Sequence, residues 1–210
     1  MVIIRLLVIT LFFSVCNLLC SNNVLSQQLT QKEHDYVIET VKERDPAVRQ
    51  KKLEAFLLNK DESIRFVLLP VLGLTSIENK QYMAAKEYAN EMLNKTSKFS
   101  THWNAGNAIH DGNMILGLLA LKNNKIAEAK RYLIESSQAP SSPQLQVYGP
   151  HMILADALLD LGEKDVVLKY LNSLRTIWTE NDGRIDSWIA SINGGGRPYF
   201  GLNLPFKFLE

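Results

Sequence analysis

"NMILGLLALKNNKIAEAKRYLIESS", Asn113 to Ser137, is the stretch that decides the fold. Apolar residues fill most positions from Met114 to Leu121, the turn-forming "KNNK" follows, and Ile126, Ala129 and Leu133 then return at three- and four-residue spacing. Such a pattern is an apolar helix, a tight turn and an amphipathic helix, an αα-hairpin. Gly117 lies near the end of the first helix, and Ala129 lies twelve residues on, inside the second. Small residues at those places let two antiparallel helices approach closely, and the larger Leu133 fills the space beside them.

The same offsets recur on either side. Gly73 is followed by Ala85 and Ala89 around "IENK", and Ala155 by Val167 and Leu171 around "LGEK". The three small residues are 44 and then 38 residues apart. One hairpin cannot bury its own apolar face, so a repeat of hairpins predicts a stack with capped ends. These offsets resemble the tetratricopeptide repeat, over roughly Ser63 to Trp178. The stretch "SSPQLQVYGPHMILADALLDLGE" also looks like uncharacterised bacterial repeat proteins. The chain departs from the tetratricopeptide pattern in period, which in that family is about 34. It also lacks the aromatic of the first helix, and only Pro140 approximates the closing proline. The resemblance implies a right-handed stack of helix pairs with a concave inner face, where family members commonly hold peptides or protein segments.

Outside the repeat the chain still reads as helix. "QLTQKEHDYVIETVKER" is amphipathic, Asp45-Pro46 caps and opens a second helix, and Asp61 caps a third that contains Pro70. Further helices are predicted over 78–94, 101–122, 125–136, 150–161, 164–178 and 184–192. No stretch offers several strands joined by hairpin turns, so the fold class is all-α: stacked antiparallel helix hairpins, a tetratricopeptide-like α-solenoid. Residues 27–62 form N-terminal capping helices, 63–178 the repeats, and 179–210 a short helix with an extended C-terminal tail. In that tail Phe200, Leu202, Leu204, Phe206 and Phe208 alternate with period two behind Gly194–Gly196. It reads as a strap over the last helix pair, or as a segment offered to a partner.

The N-terminus sets the expected compartment. Arg5 precedes an apolar run from Leu6 to Cys20 and a small-residue tail, the arrangement of a signal peptide over 1–26 cut between Ser26 and Gln27. Val2–Leu19 retained as a membrane anchor and a lipidated Cys20 are the rivals. Export to the periplasm or cell envelope is expected, with membrane contact only if the segment is retained or Cys20 is lipidated. Cys16 and Cys20 are the two cysteines, so cleavage leaves no thiol for disulfides, zinc or nucleophilic attack. The chain has 23 basic and 22 acidic residues, and Arg5 is the one charge before Gln27. A balanced remainder gives no electrostatic footprint for nucleic acid.

Two sets of site residues follow. The first helix of each pair should line the concave face, through Asp111, Met114, Leu118 and Leu121 in one unit and Met152, Asp156 and Leu159 in the next. This set would bind a protein or peptide partner. The alternative is a polar inter-helix pocket of Asn107, His110, Asn113 and His151, serving a small ligand or proton transfer, or simply satisfying one another's hydrogen bonds. A three-residue spacing walks backwards round a helix, so Asn104 and Asn113 cannot line one site together. His102 and His110 are two turns apart, too far for one zinc ion, and no metal or other cofactor is implied. No complete phosphate loop or serine elbow appears, and no catalytic residue is assigned.

Overall fold

The first three helices begin where the sequence supplies a side-chain cap. The computed structural model describes residues 29–209, so the leader and its cleavage site lie outside the described residues. Thr30 and Glu33 form a reciprocal capping box on α1 (Gln31–Val41). The Asp45 side chain accepts from the amides of Ala47 and Val48 to open α2 (Pro46–Leu57), and Asp61 accepts from Ile64 to open α3 (Glu62–Glu78). There follow α4 (Tyr82–Lys95), α5 (Ala105–Lys122), α6 (Ile126–Ser136), the short α7 (Pro143–Val147), α8 (Ile153–Asp160), α9 (Lys164–Ser173) and α10 (Arg184–Asn193). Among the described residues there is no strand, and the fold is all-α.

Three helix pairs close through one turn geometry. In α3–α4, α5–α6 and α8–α9 the residue after the first helix's cap has positive φ: Lys80 at 58°, Asn124 at 57° and Gly162 at 78°. In each, the next amide donates back to the carbonyl five residues earlier: Gln81 to Ser76, Lys125 to Ala120 and Glu163 to Leu158, at 2.8, 2.9 and 2.9 Å. This left-handed cap with a long back-bond satisfies the carbonyls a helix end leaves orphaned.

The small residues sit where helices of different pairs meet. A Cβ on Gly73 would lie 2.6 Å from Ile115 Cδ1 of α5, and one on Gly117 would lie 2.3 Å from Leu154 Cδ2 of α8. Ala85, Ala89, Ala129 and Val167 on the second helices are wholly buried. Neighbours in sequence pack against each other from α1 to α6, and α3 with α5, α5 with α8 and α6 with α9 pack across pairs. The larger core runs from Phe66 to Phe200, and a smaller one under α1 and α2 holds Val37, Leu53, Leu68 and Leu72.

Several boundaries differ from the sequence reading for local reasons. The helix expected from residue 101 begins at Ala105, because the amides of Asn104 and Ala105 are taken by His102 Nδ1 and the His102 carbonyl in a turn. The helix expected from Pro150 begins at Ile153. Gly149 holds φ 75°, and the Met152 amide donates instead to Asn203 of the tail at 2.7 Å. Gly149 is fixed twice over, since a Cβ there would meet the Trp178 indole at 2.4 Å. Helix α3 runs through Pro70. Helix α7, which the periodicity did not reveal, is opened by the Ser142 hydroxyl accepting from Leu145.

The tail folds back onto the body. Phe200 and Asn203 are buried, while Leu204, Phe206 and Phe208 pack partly on the core. Leu202 breaks the expected alternation, because a 3-10 turn at Gly201–Asn203 rotates it outward, leaving it half exposed.

Candidate functional site

Helix α5 carries the polar residues that the sequence placed between helices, and the structure divides them into three groups. Near its start, Asn107 donates to Asn104 Oδ1 (2.8 Å) and Gln144 Oε1 (3.1 Å) and accepts from the Ser142 hydroxyl (2.6 Å). All four side chains are buried. This network ties α5 to α7, and its amide groups are used in holding it together.

One turn on, His110 Nδ1 lies 2.9 Å from Asp111 Oδ1, and His110 Nε2 lies 3.0 Å from the Tyr170 hydroxyl on α9. His151 Nδ1 lies 3.4 Å from the same Asp111 oxygen. His110, Asp111 and Tyr170 are buried, whereas the His151 side chain is 36% exposed. Because a carboxylate only accepts, both imidazole Nδ1 atoms donate to it, and the Tyr170 hydroxyl is left to donate to His110 Nε2. Burial pushes the Asp111 carboxyl up, but the hydrogen bonds from His110 and His151 outweigh it and hold the group well below the usual carboxylate range. Burial, then the Asp111 charge, push the Tyr170 phenol far up, so it stays protonated as a donor. Asn113 stands apart. Its amide donates to the Ile109 carbonyl of its own helix at 2.9 Å.

The polar pocket expected from Asn107, His110, Asn113 and His151 is therefore not one site. Asn107 belongs to the first network and Asn113 to its own backbone, while His110 and His151 meet through Asp111. The backbone around Gly149-Pro150 is served from elsewhere. The Asn203 amide serves it, donating to the carbonyls of Tyr148 and Pro150 at 2.9 and 3.0 Å.

The residues expected on a concave face need a correction as well. Asp111, Met114, Leu118, Leu121, Met152 and Asp156 are all buried, and Leu159 is half-buried. Helix α5 packs against α3, α4, α6, α7 and α8, which leaves no free face for a partner. A helix apolar nearly all round is a core helix. Asp156 has a different office: its carboxylate and carbonyl both accept from Arg197 Nη2 (2.6 and 2.9 Å), and Asp160 accepts from Nη1 (2.8 Å).

Arg197 belongs to an open groove between α10 and the tail, about 540 Å³ in volume. Arg184, Ser187, Trp188 and Ser191 line one side, and Arg197 to Asn203 the other. Tyr199 is 89% exposed and Leu202 50%. The wall is anchored: Trp188 Nε1 donates to the Tyr199 carbonyl at 2.9 Å, and the Phe200 ring meets Trp188 edge-on, centroids 4.9 Å apart. The groove has no signature of its own in the sequence, because α10 and the tail are brought together by Trp188 and Phe200, neither of which stands in a motif. "NGGGRP" was the local signal, through Arg197.

Fold and sites together define an all-α protein of packed helix pairs with a buried Asp–His cluster and a C-terminal groove. No family model matches the chain, and no curated protein and no solved structure is significantly similar to it.

Proposed function

We propose that this chain is an exported helical-repeat protein of the tetratricopeptide type, a scaffold that works by binding a protein or peptide partner in the groove between α10 and the tail. The observation that carries the reading is Tyr199, 89% exposed on a backbone that Trp188 and the buried Phe200 hold in place. Rigid tyrosine, tryptophan and arginine at one surface are the residues that dominate binding energy at protein interfaces. The repeat reading is supported by the three matching turns and by Gly73 and Gly117 at their close approaches. Export rests on the apolar leader behind Arg5. No helix among the described residues is long and apolar enough to cross a membrane.

The test is a photo-crosslinking amino acid placed at Leu202 or, as control, at Met83, which is exposed on α4 away from the groove. Discrete protein adducts from Leu202 and none from Met83 support the reading. Adducts from Met83 alone, or none from Leu202 in the cells that make the protein, overturn it.

A second reading is favoured by the Asp111–His151 contact. A buried carboxylate that orients a partly exposed imidazole is the support a general base or a small-ligand contact uses. In that role His151 would act alone at the surface, with Asp111 as its positioning residue. A His151→Gln variant that keeps every binding property of the parent removes this reading.

A further inference from the structure

The chemistry of the groove goes further than the presence of a partner. We infer that it takes an acidic peptide segment, an Asp or Glu side chain meeting Arg184 while an adjacent apolar side chain rests on Tyr199 and Leu202. This inference rests on the binding reading above and names the partner's chemistry.

Charge complementarity commits the occupant. Two arginines line the groove and no acidic side chain does. They are not equivalent. Arg197 is chelated by Asp156 and Asp160, so its charge is already balanced and its work is to pin the start of the tail to α8. Arg184 is held more loosely. Its Nε donates to the Asn181 carbonyl, its Nη2 reaches Asp182 at 3.4 Å, and its guanidinium stacks 4.6 Å from the Trp178 ring. Nη1 has no partner among the described residues, and a planar guanidinium fixed on two sides is pre-organised for a carboxylate. Beside it the Tyr199 ring and Leu202 offer exposed apolar surface.

A long polyanion fits less well. Asp156, Asp160 and Asp182 stand next to the two arginines, and an extended phosphate backbone would meet them. A short segment with one or two carboxylates does not.

The experiment is selection of a displayed library of random short peptides on the immobilised full chain. Selected peptides, resynthesised with a fluorophore, are then titrated against the parent, Arg184→Glu and Tyr199→Ala, each checked for parental helix content. Tyr199 is 89% exposed, so its variant tests the surface directly, while Arg184 also packs on Trp178, and the check of helix content separates its part in folding from its part in binding. The expected result is enrichment of Asp or Glu beside an aromatic or aliphatic residue, affinity that falls with salt, and a loss of roughly tenfold or more in each variant. Enriched peptides that are neutral or basic and still depend on Tyr199 overturn the charge assignment and leave the binding reading standing. Absence of enrichment, or enrichment indifferent to both variants, overturns both.

Discussion

The side-chain amide of Asn104 donates to the main-chain carbonyl of Phe66 at 3.3 Å, across the interface of α5 and α3. Phe66 lies four residues before Pro70, so it is the carbonyl that the proline's missing N–H leaves without its intrahelical partner. Asn104, itself buried, supplies the absent donor. The proline thus interrupts the helical ladder without orphaning a buried group.

This relationship makes Asn104 and Pro70 a coupled pair. Asn104→Ala should destabilise the protein by about 1–3 kcal/mol, the cost of an unpaired buried carbonyl, with added loss from its bond to Asn107. In a Pro70→Ala background the restored amide can serve Phe66, and the cost of Asn104→Ala should shrink. Urea unfolding of the four proteins of this cycle checks it. Strictly additive effects would show that the Asn104 bond carries no such role.

Gly73 and Gly117 should respond differently to alanine. Alanine gains up to about 1 kcal/mol of helix propensity at either place. At Gly73 the closest atom is the terminal Cδ1 of Ile115, which can swing aside. At Gly117 the new Cβ meets both Leu154 methyls, at 2.3 and 3.2 Å, and the Tyr132 Cβ at 3.2 Å. Gly73→Ala should be near neutral, and Gly117→Ala should cost about 1–3 kcal/mol as overpacking. In a Leu154→Ala background, itself destabilised by the cavity, the added cost of Gly117→Ala should shrink. Thermal unfolding followed by circular dichroism reads the comparison, and equal effects at the two glycines would contradict it.

What the sequence disclosed follows the range of the interactions. Caps at Asp45 and Asp61, the turns after α3, α5 and α8, and the small residues at Gly73 and Gly117 are written in neighbouring residues or in fixed short offsets. Pairings across the chain are not. Nothing local in "LKYLNSL" announces that Tyr170 ends at His110, and nothing around Asn203 announces that its amide serves the Tyr148 and Pro150 carbonyls. The concave-face residues were misplaced for a physical reason. A concave face lined by Asp111, Met114, Leu118 and Leu121 requires a helix with one covered side, whereas α5 packs against five others. Its nearly unbroken apolar run from Met114 to Leu121 was the available sign of that enclosure.

Asp111 ties α5, the start of α8 and, through His110, α9 into one cluster. Asp111→Ala leaves two imidazole N–H groups without their acceptor and should cost about 3–5 kcal/mol. The pH dependence has a definite sign. The carboxyl's pKa is depressed on folding, so its contribution is complete above the ordinary carboxylate value of about 3.9 and fades as pH falls below it. The stability gap between parent and Asp111→Asn should therefore be open at neutral pH and close in strong acid. Denaturant midpoints of the two proteins across an acid series measure it. A gap that is absent at neutral pH and opens on acidification would reverse the assignment.

The tail's grip on the body is concentrated at Asn203. Its amide donates to two carbonyls and its own carbonyl accepts the Met152 amide, so one residue closes three main-chain groups beside the start of α8. Asn203→Ala removes two of these bonds and should cost about 1–3 kcal/mol for the carbonyls left dry. Deletion of Pro198–Glu210 goes further, because it uncovers Trp188 and withdraws the acceptor of its indole N–H. That truncation should shift tryptophan emission to the red and lower the unfolding temperature. The same truncation separates a strap from a partner segment. Truncated protein with unchanged emission and unchanged stability, yet no partner adducts, would mean that the tail serves association alone; loss of stability together with loss of adducts is what a load of three closed main-chain groups and a covered tryptophan predicts.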